Sequence, residues 1–118
     1  ESKRVLLTGD IEGDSLSGLL RSGLPSYDIL IAPHHGSKTG LPREIVSEVH
    51  PSVVVVSGSG GRDWPFVCRE FHQGWNGLRA VLRTAGKQSP DRGAVSITMS
   101  NGIMTVQQFR PTGWQHIL

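Results

Sequence analysis

The sequence predicts an α/β fold, and three observations carry that expectation. Apolar runs of strand length recur at "VLL", "ILIA", "VVVV" and "AVL". The segments after the first two place apolar residues at the three- and four-residue spacing of a helix face. Gly, Pro and Asp punctuate the joins. Strands alternating with helices over the first 85 or so residues, then a closing hairpin, form the α/β pattern. At 118 residues, 36% of them hydrophobic, the chain has the size of one domain (1–118) or part of one.

The elements follow in order. "KRVLLT" (3–8) is a short strand stopped at Gly9-Asp10, and "GDSLSGLLRSG" is a helix with Leu16, Leu19 and Leu20 on one face, Asp14 as its N-cap and Gly23 as its stop. "YDILIAP" is a second strand, apolar throughout as suits a sheet covered on both faces. "LPREIVSEV" is a helix entered at Pro42, with Ile45, Val46 and Val49 as its stripe. "PSVVVVS" is a third, buried strand of β-branched residues. "GSGGRDWP" is a loop, "FVCREFHQ" a short helix with Phe66, Val67 and Phe71 inward, and "LRAVLRT" a fourth strand. After the polar loop "GKQSPDRG", the strands "AVSITMS" and "IMTVQQF" flank Asn101-Gly102, the dipeptide of a type I′ hairpin. The tail from 110 to 118 receives no element.

Composition narrows the function classes. Twelve basic and ten acidic side chains leave a net charge of +2, scattered along the chain, so nucleic-acid binding is permitted without being indicated. One cysteine, Cys68, excludes an internal disulfide framework and a four-thiolate zinc site; a lone Cys reads as a small buried hydrophobe. The apolar runs fall far short of the roughly 20 residues of a membrane-spanning helix, so the segment is expected to be soluble. It begins "ESKRVLLTGD", without an initiator Met and with a strand almost at once, which reads as a cut through a longer protein.

The chemistry gathers at the strand ends. Ligands of covered α/β sheets bind beyond the carboxyl ends of the strands, and here the first two strands end in Asp10 and in His34-His35. A carboxylate and neutral imidazoles are donors for zinc, manganese or iron, and Gly9 and Gly36 allow the sharp turns that present them. Against this, an Asp after Gly is commonly a turn former, and adjacent His side chains point apart, so only one of the two imidazoles is expected to bind. "GSKTG" imitates a phosphate loop but lacks its spacing: Ser37, not Gly, precedes Lys38, and Pro33 has no N–H to give. "VVVVSGSGG" lacks both GxGxxG and GxSxG, so Ser57 and Ser59 are poor nucleophile candidates and residues 57–61 read as a loop bordering the same edge. His50 and His72 read as capping or surface residues, and Trp64, Trp75 and Trp114 as core or lid residues.

In order, "VLLTGD", "YDILIAPHHGSKTG", "HPSVVVVSGS", "LRAVLRT" and "GAVSI" resemble the carboxyl-terminal half of the metallo-β-lactamase-like domain of the ComEC/Rec2 competence proteins. The resemblance implies the C-terminal half of an αββα sandwich, with a mixed sheet, covering helices and a terminal β-hairpin. It implies that Asp10 bridges two divalent metal ions, zinc or else manganese, and that His35 supplies the last histidine ligand, with His34 beside it as the alternative ligand or as a substrate-facing group. Ser37 and Lys38 would contact a phosphate. The implied activity is phosphodiester cleavage, of DNA during uptake, by a domain of a bacterial inner-membrane protein.

Two departures qualify the implication. The HxHxDH motif of the family belongs to the amino-terminal half of its fold, and no HxH occurs in this chain. With one carboxylate and at most two imidazoles, the isolated chain is expected to be inactive until that missing half joins it, since catalytic zinc takes at least three protein ligands. Second, where relatives carry Asn-x-Tyr-Gly-His-Pro, this chain reads "GGRDWPFV", which puts any substrate role of that loop in doubt. A degenerate, non-catalytic binding or assembly module is the alternative, as is a hydrolase of the same superfamily acting on a non-nucleic substrate. A half-sandwich would further leave an apolar sheet face open, through which the chain would self-associate.

Overall fold

The computed structural model describes residues 2–86 and 93–118. Their order is β1 (Val5–Leu7), α1 (Gly13–Arg21), β2 (Ile29–Ile31), α2 (Pro42–Val49), β3 (Val53–Val56), α3 (Trp64–Gly74), β4 (Ala80–Arg83), β5 (Val95–Ser100), β6 (Ile103–Arg110) and β7 (Gly113–His116). Two single 3₁₀ turns, Pro33–Gly36 and Lys38–Gly40, fill the stretch between β2 and α2. The "GKQSPDRG" loop lies, for residues 87–92, outside the described residues.

β1 to β4 form a parallel sheet in sequence order. Ile29 pairs with Val5 and Val53, and Val53 in turn with Ala80, so the strands keep one register and their carboxyl ends line up along a single edge. β5 to β7 form a separate antiparallel sheet. The mixed sheet expected from the sequence is therefore two sheets. The last three strands pair only with one another, and their ladder is antiparallel throughout. Asn101 and Gly102 both adopt left-handed φ, of 51° and 75°, as the type I′ turn requires.

Strand alternation divides the core in two. Leu30, Val54 and Val56 point to one side of the parallel sheet and meet Leu16 of α1, Ile45, Val46 and Val49 of α2, and Val67 and Phe71 of α3. Ile29, Val53, Val55 and Leu82 point to the other side and meet Val106 of β6, with Val95, Ile97, Met104, Ile117 and Leu118 packed around them. The result is three layers: helices, parallel sheet, antiparallel sheet. The apolar face expected to lie open is covered, and the homo-oligomer expected through it loses its surface. The Cα radius of gyration, 13.7 Å, equals that of a compact domain of this length, about 13.5 Å.

Three local readings also change. Glu12, not Asp14, is the N-cap of α1, and Asp14 lies in the first turn, where its charge suits the helix dipole. Phe66 is 44% exposed, because Val67 and Phe71, four residues apart, already define the inward stripe of α3; the Arg69 guanidinium lies over its ring instead. The 110–118 tail contains β7, and its Trp114 is not a core residue but 52% exposed, edge-on to Phe109 on the outer face of the second sheet. Gly23, with φ 78°, stops α1 as expected, and His50 caps α2 and stacks on Trp75.

Candidate functional site

The carboxyl edge of the parallel sheet gathers the residues singled out by sequence. After β2 the chain takes three successive left-handed residues: His34 (φ 50°, ψ 47°), His35 (φ 55°, ψ 31°) and Gly36 (φ 77°). Only glycine visits this region freely, so each histidine holds a conformation costing on the order of 1–3 kcal/mol that its surroundings must impose. The His34 amide donates to Gly9 O at 2.9 Å, tying the histidine turn to the turn that carries Asp10, and the Ser37 amide closes onto His34 O at 3.0 Å. Gly36 is required for space as well: a Cβ there would lie 2.8 Å from Val56 Cγ1.

The two rings part company, their centroids 6.5 Å apart. His35 Nδ1 lies 2.8 Å from Ser57 O. A carbonyl only accepts, so Nδ1 carries a proton and Nε2 faces outward. Nε2 sits 3.1 Å from Asp10 Oδ1, and both side chains are largely exposed, at 65% and 72%. Two acceptors this close call for a positive charge between them, from a ring proton or a cation. The separation also approaches the roughly 3.3 Å edge of a tetrahedron whose ligands stand about 2.0 Å from zinc.

His34 turns the other way. Its Nδ1 is 3.0 Å from both Thr39 Oγ1 and Glu12 Oε2. Thr39 Oγ1 donates to Glu12 Oε2 at 3.0 Å and lies 3.0 Å from Ser37 Oγ, which also accepts from the Thr39 amide at 3.2 Å. His34 is thus a member of a hydrogen-bonded set with Glu12, Ser37 and Thr39, while His35 alone faces Asp10. Lys38 Nζ reaches Asp63 Oδ2 at 3.9 Å, linking the histidine turn to the loop after β3. Between turn and loop is a cleft of about 290 Å³ lined by His34, His35, Ser37, Gly60, Gly61, Arg62 and Asp63.

Of the five residues expected from the sequence, His34, His35 and Ser37 line the cleft, Lys38 is anchored at its rim, and Asp10 meets His35. Sequence reasoning missed Glu12, Thr39, Arg62, Asp63 and the Ser57 carbonyl. Glu12, two positions beyond Asp10 on the same turn, carried a readable signal; the carbonyl carried none, since any residue supplies one. Among the described residues, no group of three or more His, Cys, Asp and Glu converges as metal ligands. Asp10 and His35 therefore fit two corners of a metal site and do not make a whole one. Among the described residues, too, no helix is long and apolar enough to cross a membrane.

No family model matches the chain, and no solved structure does. The chain is 39% identical over 110 residues to Recombination protein 2 of Haemophilus influenzae (strain ATCC 51907 / DSM 11121 / KW20 / Rd), a match that takes in 90% of this chain and 13% of that protein. The chain is thus related to one segment of Recombination protein 2.

Proposed function

We propose that this chain is the Asp/His-bearing part of a metal-dependent phosphodiesterase that acts on DNA, in a protein of the DNA-uptake type. The observation that carries the reading is the pairing of His35 Nε2 with Asp10 Oδ1 at 3.1 Å while His35 Nδ1 is spent on Ser57 O. An imidazole whose second nitrogen donates to a carbonyl is the arrangement in which metal-binding histidines are oriented. The similarity to a segment of Recombination protein 2 supports the placing in a larger protein. The three stacked layers fit one half of an αββα sandwich and part of the other.

In this reading Asp10 and His35 would be two of the ligands of a zinc or manganese centre, and the remaining ligands would come from the amino-terminal half that the resemblance implies. Bound metal would supply an activated water for in-line attack on phosphorus. The chain's own groups do the rest. Ser57 O holds the His35 ring through Nδ1 and so sets Nε2 beside Asp10 Oδ1. Glu12 and Thr39 hold His34 at the wall of the cleft. Ser37, Lys38 and Arg62 border the cleft with a hydroxyl and two cations suited to a phosphodiester anion.

The reading is tested in the parent protein by Asp10→Ala and His35→Ala. Each is expected to lower bound zinc or manganese and nuclease activity at least about tenfold, since losing only an outer partner of a metal ligand already costs 10–100-fold. Retention of metal and activity by both variants overturns it. A second reading, a non-catalytic binding or assembly module, is favoured by Trp64 at the start of α3, the position before Pro65 where the resemblance implies a His. An HxHxDH motif encoded upstream of Glu1 favours the enzyme, and its absence the module.

A further inference from the structure

The loop that orients His35 is itself held from behind by a residue with no part in the site so far. Arg83, the last residue of β4, donates from Nη1 to Ser59 O at 2.9 Å and lays its guanidinium over the Trp64 ring, 4.5 Å from the centroid. The loop is pressed between that stacked pair and the histidine turn. A Cβ on Gly60 would fall 2.2 Å from Trp64 Cε3, and one on Gly58 would fall 3.9 Å from the His35 Cβ. Neighbouring Thr84 adds a second grip: its Oγ1 accepts from the Gly58 amide at 2.8 Å. From behind, the Arg83 carbonyl accepts from Gln108 Nε2 at 2.9 Å, and Gln108 is fully buried between the sheets.

We propose that Arg83 is a positioning residue for the site: by fixing residues 57–60 it keeps the Ser57 carbonyl against His35 Nδ1 and so sets the tautomer and direction of the His35 ring. A guanidinium suits this task because its charge lies over the indole face while an N–H reaches Ser59 O, and a lysine ammonium can supply the charge and the donor in part. The left-handed glycines at 58, 60 and 61 (φ 125°, 79° and 72°) leave this loop little backbone preference of its own. Without the side chain of Arg83, the Ser59 carbonyl loses that donor and Trp64 its cover, and the position of the Ser57–Gly58 peptide then rests on Thr84 Oγ1 and the Ala85 amide. Arg83 reaches the loop through Ser59 O and the Trp64 ring, and its effect on His35 passes through that loop.

The test reads His35 rather than turnover, so it stands apart from the phosphodiesterase reading, and either can fail without the other. Imidazole ¹H–¹⁵N spectra of the 118-residue chain, taken where the rings are neutral, report the ratio of Nδ1–H to Nε2–H tautomers. His50, stacked on Trp75 outside the loop, is the internal standard. Arg83→Ala is expected to lower the His35 ratio about fivefold, the size of one net hydrogen bond, with His50 unchanged, and Arg83→Lys to restore more than half of the difference. A folded Arg83→Ala chain with an unaltered His35 ratio overturns the inference. Should Arg83→Ala fail to fold, Trp64→Leu removes the stacking face while keeping apolar volume. A fall in the His35 ratio then supports the inference, and an unchanged ratio overturns it.

Discussion

Gly36 shows how a single position couples packing to the site. It follows two histidines already in the left-handed region, and its own φ of 77° and the 2.8 Å approach of Val56 Cγ1 leave no room for a side chain. Gly36→Ala is therefore expected to cost about 2–4 kcal/mol, a left-handed alanine together with overpacking of a buried valine. Thermal melts would read the loss of stability, and ¹⁵N spectra the accompanying displacement of His35. A change below about 0.5 kcal/mol would mean that the turn relaxes freely and that the paired left-handed histidines are not held by packing. At the same scale His34 and His35, neighbours in sequence, carry different chemistry because a left-handed backbone sends one ring to Glu12 and Thr39 and the other to Asp10.

Among elements, α2 and α3 pack closely: a Cβ on Gly74 of α3 would lie 2.4 Å from Val46 Cγ2 and 2.5 Å from Arg43 O on α2. Across this contact the Arg43 guanidinium bonds both oxygens of Glu70, Nη2 at 2.8 Å and Nε at 3.3 Å, and also the Gln73 side chain. The hydrogen bond from Arg43, and then its charge, hold the Glu70 carboxyl below the usual carboxylate range. A carboxyl lowered in the folded state contributes stability above its unfolded pKa and loses it as pH falls through the folded value. The helix pair is accordingly expected to weaken below about pH 4.5, and Glu70→Gln to remove that part of the acid dependence. Melting temperatures of both chains across pH 3 to 7 would read it, and parallel curves would assign the acid sensitivity elsewhere.

At the scale of the whole molecule the second sheet decides the state of the chain. β5 to β7 cover Ile29, Val53, Val55 and Leu82, so the inner face is a core and not an interface. The clasp between sheets is Gln108, whose Nε2 donates to Arg83 O and Gly93 O while its Oε1 accepts from Arg110 Nε and Nη2. Gln108→Ala removes the hydrogen bonds of a fully buried side chain to Arg83 O and Gly93 O and is expected to cost about 1–3 kcal/mol, read in a denaturant titration. The same variant should loosen Arg83 and lower the His35 tautomer ratio, whereas Val106→Ala, a loss of apolar volume in the same interface, should lower stability without altering that ratio. Equal ratios in both variants would sever the second sheet from the site.

Much of this was legible in the chain. The β-branched run at 53–56, the stripes of α1 and α2 and the Asn101-Gly102 turn follow from periodicity and backbone preference, which are local. So does the meeting of Asp10 with the histidine doublet: in a parallel sheet every strand end falls on one edge, and two strands that stop in Gly-flanked donors bring them together. What the sequence could not decide is non-local. Which imidazole faces Asp10 depends on a left-handed turn braced by Gly9 O and Val56, and on a carbonyl from a loop 22 residues away. Whether the last three strands extend the first sheet or stack on it depends on which apolar face they find uncovered, a choice of partners that no local pattern records. By itself the sequence determined the elements up to β6, their order and the donors at the strand ends, while β7 escaped it. Only the tertiary structure decided the layer that closes the core and the single imidazole turned to Asp10, because both are settled by contacts between segments far apart in the chain.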